Sequence, residues 1–359
     1  MKITYISASI IPSEKANSVN VLKMSNAFAQ QDHKVTLIGT QGEKDSKDIF
    51  RGYHIENIFD VKLSKSGKLS AVYRLLLGAK YSRNADIIYT RWIAAAAFLI
   101  IFTNKQLIYE YHAPQSKGLS QVFESIVVKS KKVKRHVFIT KALKDFFVNK
   151  YNVLENKDLK VLPDGADSVQ NLNLKESKNI FDCIYVGSFQ VGKGVDLVIE
   201  IANKMPKIKF AIVGGSKNEV EEKQKKAIHE NISWYGHLPH SQTNEVLQKA
   251  KIALLPNQPK VLIGNQDIGK WTSPMKLFEY MANGKAILAS DIDVLKEILN
   301  HEENCILVKY DDPEAWRESI ERLLANKKLL ERISSNGYQQ LNEKYTWKSR
   351  AKQALEGIK

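Results

Sequence analysis

Cysteine is nearly missing from this chain of 359 residues. The only two, Cys183 and Cys305, sit in apolar, strand-like runs and have no metal-ligand spacing. A disulfide framework and a zinc module are therefore not expected, and two buried free thiols in a reducing compartment are. Metal ligands in general are not indicated, since His237, His240 and the other histidines show no ligand spacing either. Long apolar runs are lacking too. The longest, Ile93–Phe102, is about half of the roughly 20 residues that a membrane-spanning helix needs, and it fits a buried helix better. The opening residues, Met1 to Ile6, read as a strand and not as an apolar leader helix, so a cytoplasmic protein is expected. Glycine is absent from Ala8 to Ser18, just after that first strand. Without it there is no dinucleotide fingerprint, which argues against a nicotinamide enzyme. Acidic residues are short as well: 39 Asp and Glu face 54 Lys and Arg, for a net charge of +15. An excess of that size suits an anionic partner, such as nucleic acid, acidic lipid or a phosphorylated substrate, or else a lysine-rich solvated surface. No recognised nucleic-acid module accompanies it.

What the chain does have is alternation. Hydrophobic residues make up 43% of it, enough for two sizeable cores. In the first half, strand-like runs at residues 3–7, 34–38, 86–89, 107–109 and 136–139 alternate with helical patterns at 18–31, 69–81, 92–102 and 119–130. The second half repeats this. Strands are expected at 183–187, 210–213, 232–235, 252–255, 286–289 and 306–308. Helices are expected at 194–205, 241–250, 274–282, 313–324, 328–344 and 347–356. Such alternation predicts βαβ units and parallel sheets. Turn residues cluster at Leu162-Pro163-Asp164-Gly165-Ala166-Asp167, and a polar stretch from Gln170 to Asn179 follows. This is the natural domain boundary. The expected division is 1–165, 166–343 and a closing helix within 344–359.

Two segments carry chemistry. Gly187-Ser188-Phe189-Gln190-Val191-Gly192-Lys193-Gly194 lies between a predicted strand and a predicted helix. Helix N-termini offer unpaired N–H groups and positive potential, so a phosphate-facing Lys193 is the favoured reading. The run is almost a P-loop, but Gly194 stands where Ser or Thr would hold magnesium, which weakens an NTPase. A purely structural tight turn is the alternative. The second segment runs from Trp271 to Gly284. Ser273 suits an N-cap, Pro274 the first helical position and Asn283-Gly284 a stop. The N–H groups of Met275 and Lys276 then have no partner within the helix. A lysine in a first turn opposes the helix dipole, which makes sense if an anion sits there. The alternative is a surface ion pair between Lys276 and Glu279, three residues apart.

These residues resemble a known family. Pro274 to Ser290, Pro-Met-Lys-Leu-Phe-Glu-Tyr-Met-Ala-Asn-Gly-Lys-Ala-Ile-Leu-Ala-Ser, is similar to the nucleotide-sugar motif of family 4 retaining glycosyltransferases of the GT-B fold. Tyr185-Val186-Gly187-Ser188 with Lys193-Gly194-Val195-Asp196 resembles the opening strand and loop of that family's donor domain. Leu162 to Asp167 resembles its interdomain segment, and Ile108-Tyr109-Glu110-Tyr111-His112 its acceptor-side histidine loop. The resemblance covers most of the chain. It implies an α/β protein of two Rossmann-like domains facing across a cleft, an acceptor-side N-terminal domain, a donor-binding C-terminal domain and a last helix that crosses back. It further implies that Glu279 binds the ribose hydroxyls and that Lys193, Lys276 and the N–H groups around Met275 hold the diphosphate. Ser188, Ser273, Pro274 and Gly214 would line the donor site, and His112 would face the transferred sugar. Two positions depart from the pattern. Trp271 stands where the family often has a glutamate, and Ser188 where many members have an arginine.

The expected reaction moves a sugar from a nucleoside-diphosphate sugar to an acceptor hydroxyl, with retention. The donor is a substrate, and no cofactor is implied. The acceptor would be a saccharide or a lipid-linked sugar of a cell-surface polysaccharide or glycoconjugate. The basic run from Lys129 to Arg135 makes an anionic membrane surface a candidate partner, at the inner face of the plasma membrane. A solvated loop or helix end is its alternative. A sugar-nucleotide epimerase on the same fold and a non-catalytic nucleotide-sugar-binding protein are the rival functions.

Overall fold

A computed structural model describes residues 1–13, 15–42, 49–115, 118–169, 180–264 and 266–358. The polar stretch from Gln170 to Asn179 lies outside the described residues. The chain divides into two compact units, one of residues 1–164 with 347–359, the other of residues 165–346.

The first unit is built on seven strands: β1 (Lys2–Ile11), β2 (Lys34–Gln41), β3 (Asp60–Ser64), β4 (Ile87–Thr90), β5 (Leu107–Tyr111), β6 (Val133–Phe138) and β7 (Leu159–Val161). They form one sheet in the order β3-β2-β1-β4-β5-β6-β7, and every pair is parallel. β4 and β5 are buried at every position, as strands covered on both faces must be. The connecting helices are α1 (Ala16–Ala29), α2 (Ile49–Gly52), α3 (Ser70–Ser82), α4 (Ile93–Phe102), α5 (Leu119–Lys129) and α6 (Lys141–Lys150).

The second unit has a six-stranded parallel sheet, ordered β10-β9-β8-β11-β14-β15. Its strands are β8 (Phe181–Val186), β9 (Phe210–Val213), β10 (Ile232–Gly236), β11 (Ala250–Leu255), β14 (Ala286–Ser290) and β15 (Ile306–Val308). A small antiparallel hairpin, β12 (Leu262–Ile263) with β13 (Gln266–Asp267), precedes the donor-motif helix. The helices are α7 (Val195–Lys204), α8 (Lys217–Gln224), α9 (His240–Gln248), α10 (Met275–Ala282), α11 (Asp293–Lys296), α12 (Pro313–Ala325) and α13 (Lys327–Gln340). Alternate residues of each strand feed separate cores. Ile184, Val186, Ala253 and Leu255 face one, and Cys183, Tyr185, Ile252 and Leu254 face the other. Both cysteines are free and buried.

The last helix, α14 (Trp347–Leu355), belongs to the first unit and packs on α1. Arg135 on β6 fixes its far end. The guanidinium donates to the carbonyls of Gln353 (3.2 Å), Ala354 (3.0 Å) and Glu356 (2.7 Å), and pairs with Asp158 at 2.7 Å. These are the orphan acceptors of a helix C-terminus.

The pattern reading missed β3, β7, β12, β13, α2, α6, α8 and α11. β7 has only three residues and β3 is half-exposed, so neither shows an apolar run. The basic stretch from Lys129 to Arg135 begins at a helix end, one of the two alternatives the sequence offered, but it is not all solvated. It ends α5 and enters β6, and two of its charges, Lys132 and Arg135, are bonded internally.

Candidate active site

Both sheets reverse their strand order at one point, between β1 and β4 in the first and between β8 and β11 in the second. In open α/β sheets the crevice outside the strand carboxyl ends at such a point is where ligands bind. Both groups of sequence-predicted residues lie at these places, and each unit is described by itself.

In the second unit the chain leaves β8 through Gly187 and Ser188, and Lys193 follows just before α7. Gly194 is the N-cap of α7, with φ +85°, and a Cβ there would lie 2.0 Å from the carbonyl oxygen of Pro256. Only glycine fits, and the contact holds the Lys193 loop against the segment leaving β11. Gly214, after β9, is under the same constraint. Its φ is +129°, and a Cβ would stand 1.9 Å from the oxygen of Gly187. Its N–H donates to Gly236 at 2.6 Å.

The donor-motif helix, α10, starts one residue later than the pattern indicates. Pro274 is the N-cap and not the first helical residue, and Ser273, buried just before it, does not serve as the N-cap. Proline has the right φ for either position, so the sequence does not fix the phase. The first bond of the turn runs from Leu277 N–H to Pro274 O at 2.9 Å. The N–H groups of Met275 and Lys276 precede it, as the first donors of a helix must.

Lys276 defines the chemistry here. Its ammonium is buried and has no hydrogen-bond partner among the described residues. No ion pair with Glu279 forms. The cation lies over the Tyr185 ring, 4.5 Å from its centroid, and a Cβ on Gly187 would be 3.6 Å from it. The Tyr185 hydroxyl in turn donates to Ser188 O at 2.8 Å. Burial pushes the Lys276 amine well below the usual lysine value, and the charge of Lys193 pushes it further, against a smaller pull from Glu279. Lys193 is itself lowered by burial. Two lysines from separate loops thus repel each other at one sheet edge, and neither has a hydrogen-bonded carboxylate among the described residues. Glu279 is 19% exposed and lies 3.7 Å from His240 Nδ1, on α9. Sequence reading passed over His240 because it looked only for metal spacing. Trp271 ends a short 3₁₀ turn, Gly269–Trp271.

In the first unit, His112 follows β5 and is 24% exposed. Its Nε2 is 2.6 Å from Glu110 Oε1, and its Nδ1 is 3.0 Å from Arg91 Nη2. A carboxylate can only accept and a guanidinium can only donate, so the proton is on Nε2 and Nδ1 accepts. Burial lowers the imidazole below its usual value, and Arg91 lowers it further, against Glu110. The ring is therefore neutral with both nitrogens engaged, and a role as proton acceptor requires Arg91 to leave Nδ1. Glu110 is fully buried and also accepts from Arg350 Nη1 at 3.0 Å and from the Tyr89 hydroxyl. Burial would raise the Glu110 carboxyl, but Arg350, His112 and Arg91 outweigh it and hold it well below the usual carboxylate range. Arg350, from α14, also donates to Pro163 O (2.7 Å) and Leu162 O (3.1 Å). Asp164 accepts from Asn20 Nδ2 at 2.7 Å and is raised by burial, against Arg350, His112 and Arg91. Arg91 and Arg350 carried no sequence signal, since an isolated arginine after a strand or within a terminal helix looks like any surface charge.

Residues 166–340 match the family model described as Glycosyl transferases group 1. The match spans the second unit, which is therefore a glycosyltransferase group 1 domain, and the chain has the GT-B fold. Among curated proteins it is 25% identical over 337 residues to an uncharacterised glycosyltransferase of Methanocaldococcus jannaschii, covering 85% of this chain and 80% of that one. Among solved structures it is similar to sucrose-phosphate synthase from Thermosynechococcus elongatus, with a TM-score of 0.74 and 17% identity over 98% of this chain and 96% of the other. It is also similar to HepE of Anabaena in complex with UDP, with a TM-score of 0.74 and 14% identity over 100% and 99% of the two chains.

Proposed function

We propose that this protein transfers a hexose or related sugar from a nucleoside-diphosphate sugar to an acceptor hydroxyl, with retention of configuration, in the assembly of a cell-surface polysaccharide or glycoconjugate. The observation that carries this reading is the buried, partnerless ammonium of Lys276, set beside Lys193 at a switch point and at the start of α10. An isolated buried cation is unfavourable by several kcal/mol unless a counter-charge arrives. A diphosphate supplies that charge and accepts from the N–H groups of Met275 and Lys276. As the glycosidic bond breaks, the leaving diphosphate gains charge, and cations already in place stabilise it without reorganising. Glu279 lies three residues beyond Lys276 on α10 with its Oε1 3.7 Å from His240 Nδ1, and its carboxylate would accept from the ribose hydroxyls. The first unit would take the acceptor, with His112 at its own sheet edge among the candidate residues. Among similar structures, HepE of Anabaena was solved with UDP and with UDP-glucose, and another is a lipopolysaccharide outer core galactosyltransferase, which makes UDP-sugars the first donors to test. Thermal-shift screening with UDP-, GDP-, ADP- and CMP-sugars tests the proposal, because a ligand that binds the native state raises its melting temperature by mass action. One nucleotide series should stabilise the protein by several degrees. No stabilisation by any of the four would overturn the reading.

A further inference from the structure

The first unit carries a surface that the sites above do not use. Helices α3, α4 and α5 pack side by side on one face of its sheet. α4 is apolar along its whole length, Ile93–Phe102, and its inner side is buried. Its last two residues are not: Ile101 is 56% exposed and Phe102 68%. Phe102 is held in place by its neighbour one turn back, with ring centroids of Phe98 and Phe102 4.7 Å apart. The basic stretch after α5 is anchored on this same helix end. Lys132 donates to the carbonyls of Ile100 at 2.7 Å and Thr103 at 2.6 Å. Lys129 and Lys131, both exposed, flank that anchoring residue in the chain. Lys134 is exposed on β6, where its neighbour Arg135 is buried. The carboxylates that open strands at this edge are already engaged. Asp158 pairs with Arg135, and Asp86 accepts from Lys2 N–H.

We infer that this helix end is a docking face for an anionic lipid bilayer. Ile101 and Phe102 enter the boundary between headgroups and acyl chains, and Lys129, Lys131 and Lys134 stay with the acidic headgroups on their long apolar stems. Nucleic acid would use the lysines but leave the apolar pair in water, so the combination favours lipid. In the proposed reaction, docking holds the enzyme where a lipid-linked acceptor resides. That purpose rests on the acceptor reading, whereas the docking itself is measured without any donor or acceptor.

Co-sedimentation of the full chain with vesicles tests the inference. Wild type should bind vesicles that contain phosphatidylglycerol and bind pure phosphatidylcholine far less, with salt releasing it. The triple change Lys129→Gln, Lys131→Gln and Lys134→Gln should weaken partitioning roughly 100-fold, at about fivefold per lysine. The pair Ile101→Ser and Phe102→Ser should weaken it at least tenfold, even at low salt. Melting temperatures serve as the folding control. Phe102→Trp gives a second readout that does not depend on a damaging change: its emission should shift to the blue on anionic vesicles. Equal binding to both vesicle types, wild-type binding by the lysine variant, or a tryptophan that does not respond would each overturn the inference. So would concentration-dependent dimerisation lost in Phe102→Ser without vesicle binding, which would assign the face to a second copy.

Discussion

Replacing Lys276 by methionine should raise the stability of the free protein and lower its affinity for donor. Methionine keeps the length of the side chain and packs well against Tyr185. In the free protein the ammonium is buried, and its favourable interactions are the Tyr185 ring at 4.5 Å and a weaker attraction to Glu279. A cation–π contact recovers about 2 kcal/mol when desolvated, while the effective penalty for a buried ion is several kcal/mol. A net penalty of about 1–3 kcal/mol remains, which corresponds to a gain of roughly 2–12 °C in melting temperature for a domain of this size. The gain must also depend on pH. Because the folded amine is depressed, the unfolded state binds more protons between the folded value and the usual lysine value. Wild-type stability therefore rises with pH through that window, and the variant lacks this slope. The gap between the two in urea should be large at pH 7 and close toward pH 10. With UDP the order reverses. Loss of one charge-assisted contact of about 1.5–3 kcal/mol weakens binding roughly 10- to 150-fold by calorimetry. A variant that is less stable than wild type without ligand, or that binds UDP with unchanged affinity, would refute the reasoning.

The other expectations use the same two sites. Lys193→Ala should lower kcat about 100- to 1000-fold on the correct donor with the fold intact, because its charge matters most when the leaving group forms; a folded variant with wild-type kcat and KM removes Lys193 from the site. Glu279→Gln should weaken nucleoside diphosphate binding by about 1.5–3 kcal/mol without lowering the melting temperature, and an unchanged dissociation constant by calorimetry would sink the ribose assignment. Glu110→Gln strands Arg350 in the core and should cost about 3–5 kcal/mol in urea unfolding. Since the Glu110 carboxyl is depressed, its contribution is present above the unfolded carboxylate value of about 4.3 and fades as pH falls toward the folded one, so the variant should lose stability less steeply in acid.

The alternation of apolar runs with helical patterns revealed both parallel sheets, because strands covered on two faces must be apolar throughout. β9 and β15 were legible to the residue, while the short edge strand β7 was not, since three half-exposed residues leave no period to read. The donor motif was legible because its helix carries local signals, a proline at the start and Asn-Gly at the end. Even so, the phase of α10 slipped by one residue. His240, Arg91 and Arg350 were invisible because their importance comes from residues distant in sequence: Glu279 for the first, and His112 and Glu110 for the others. The basic stretch shows the converse. Seven residues read as one charge cluster, yet folding used Lys132 and Arg135 as helix caps and left Lys129, Lys131 and Lys134 for solvent or a partner.

The two units place cations at equivalent sheet edges and treat them differently. In the first, Arg350 meets the ionised Glu110, Arg91 meets the bare nitrogen of His112, and Asp164 adds a second carboxyl group to the cluster. Charge there is nearly balanced within the protein, so an anionic ligand gains little and a neutral, hydroxyl-rich one can bind without displacing an ion pair. In the second, Lys193 and Lys276 repel each other with no carboxylate among the described residues hydrogen-bonded to either, and the positive start of α10 adds to them. That edge gains most from a dianion. Both units are parallel α/β sheets that reverse their strand order once, with seven strands in one and six in the other; on the proposed reading the distribution of counter-charges would divide the work, with sugar hydroxyls suited to one edge and a nucleoside diphosphate to the other. Exchanging the arrangement tests this division. Ser188→Glu would bring a carboxylate to the loop that borders Lys276, supplying from within the charge that a diphosphate otherwise brings. Stability of the free protein should rise, and UDP affinity should fall by at least as much as in Lys276→Met. If affinity stays unchanged, the lysines are not held in wait for an anion.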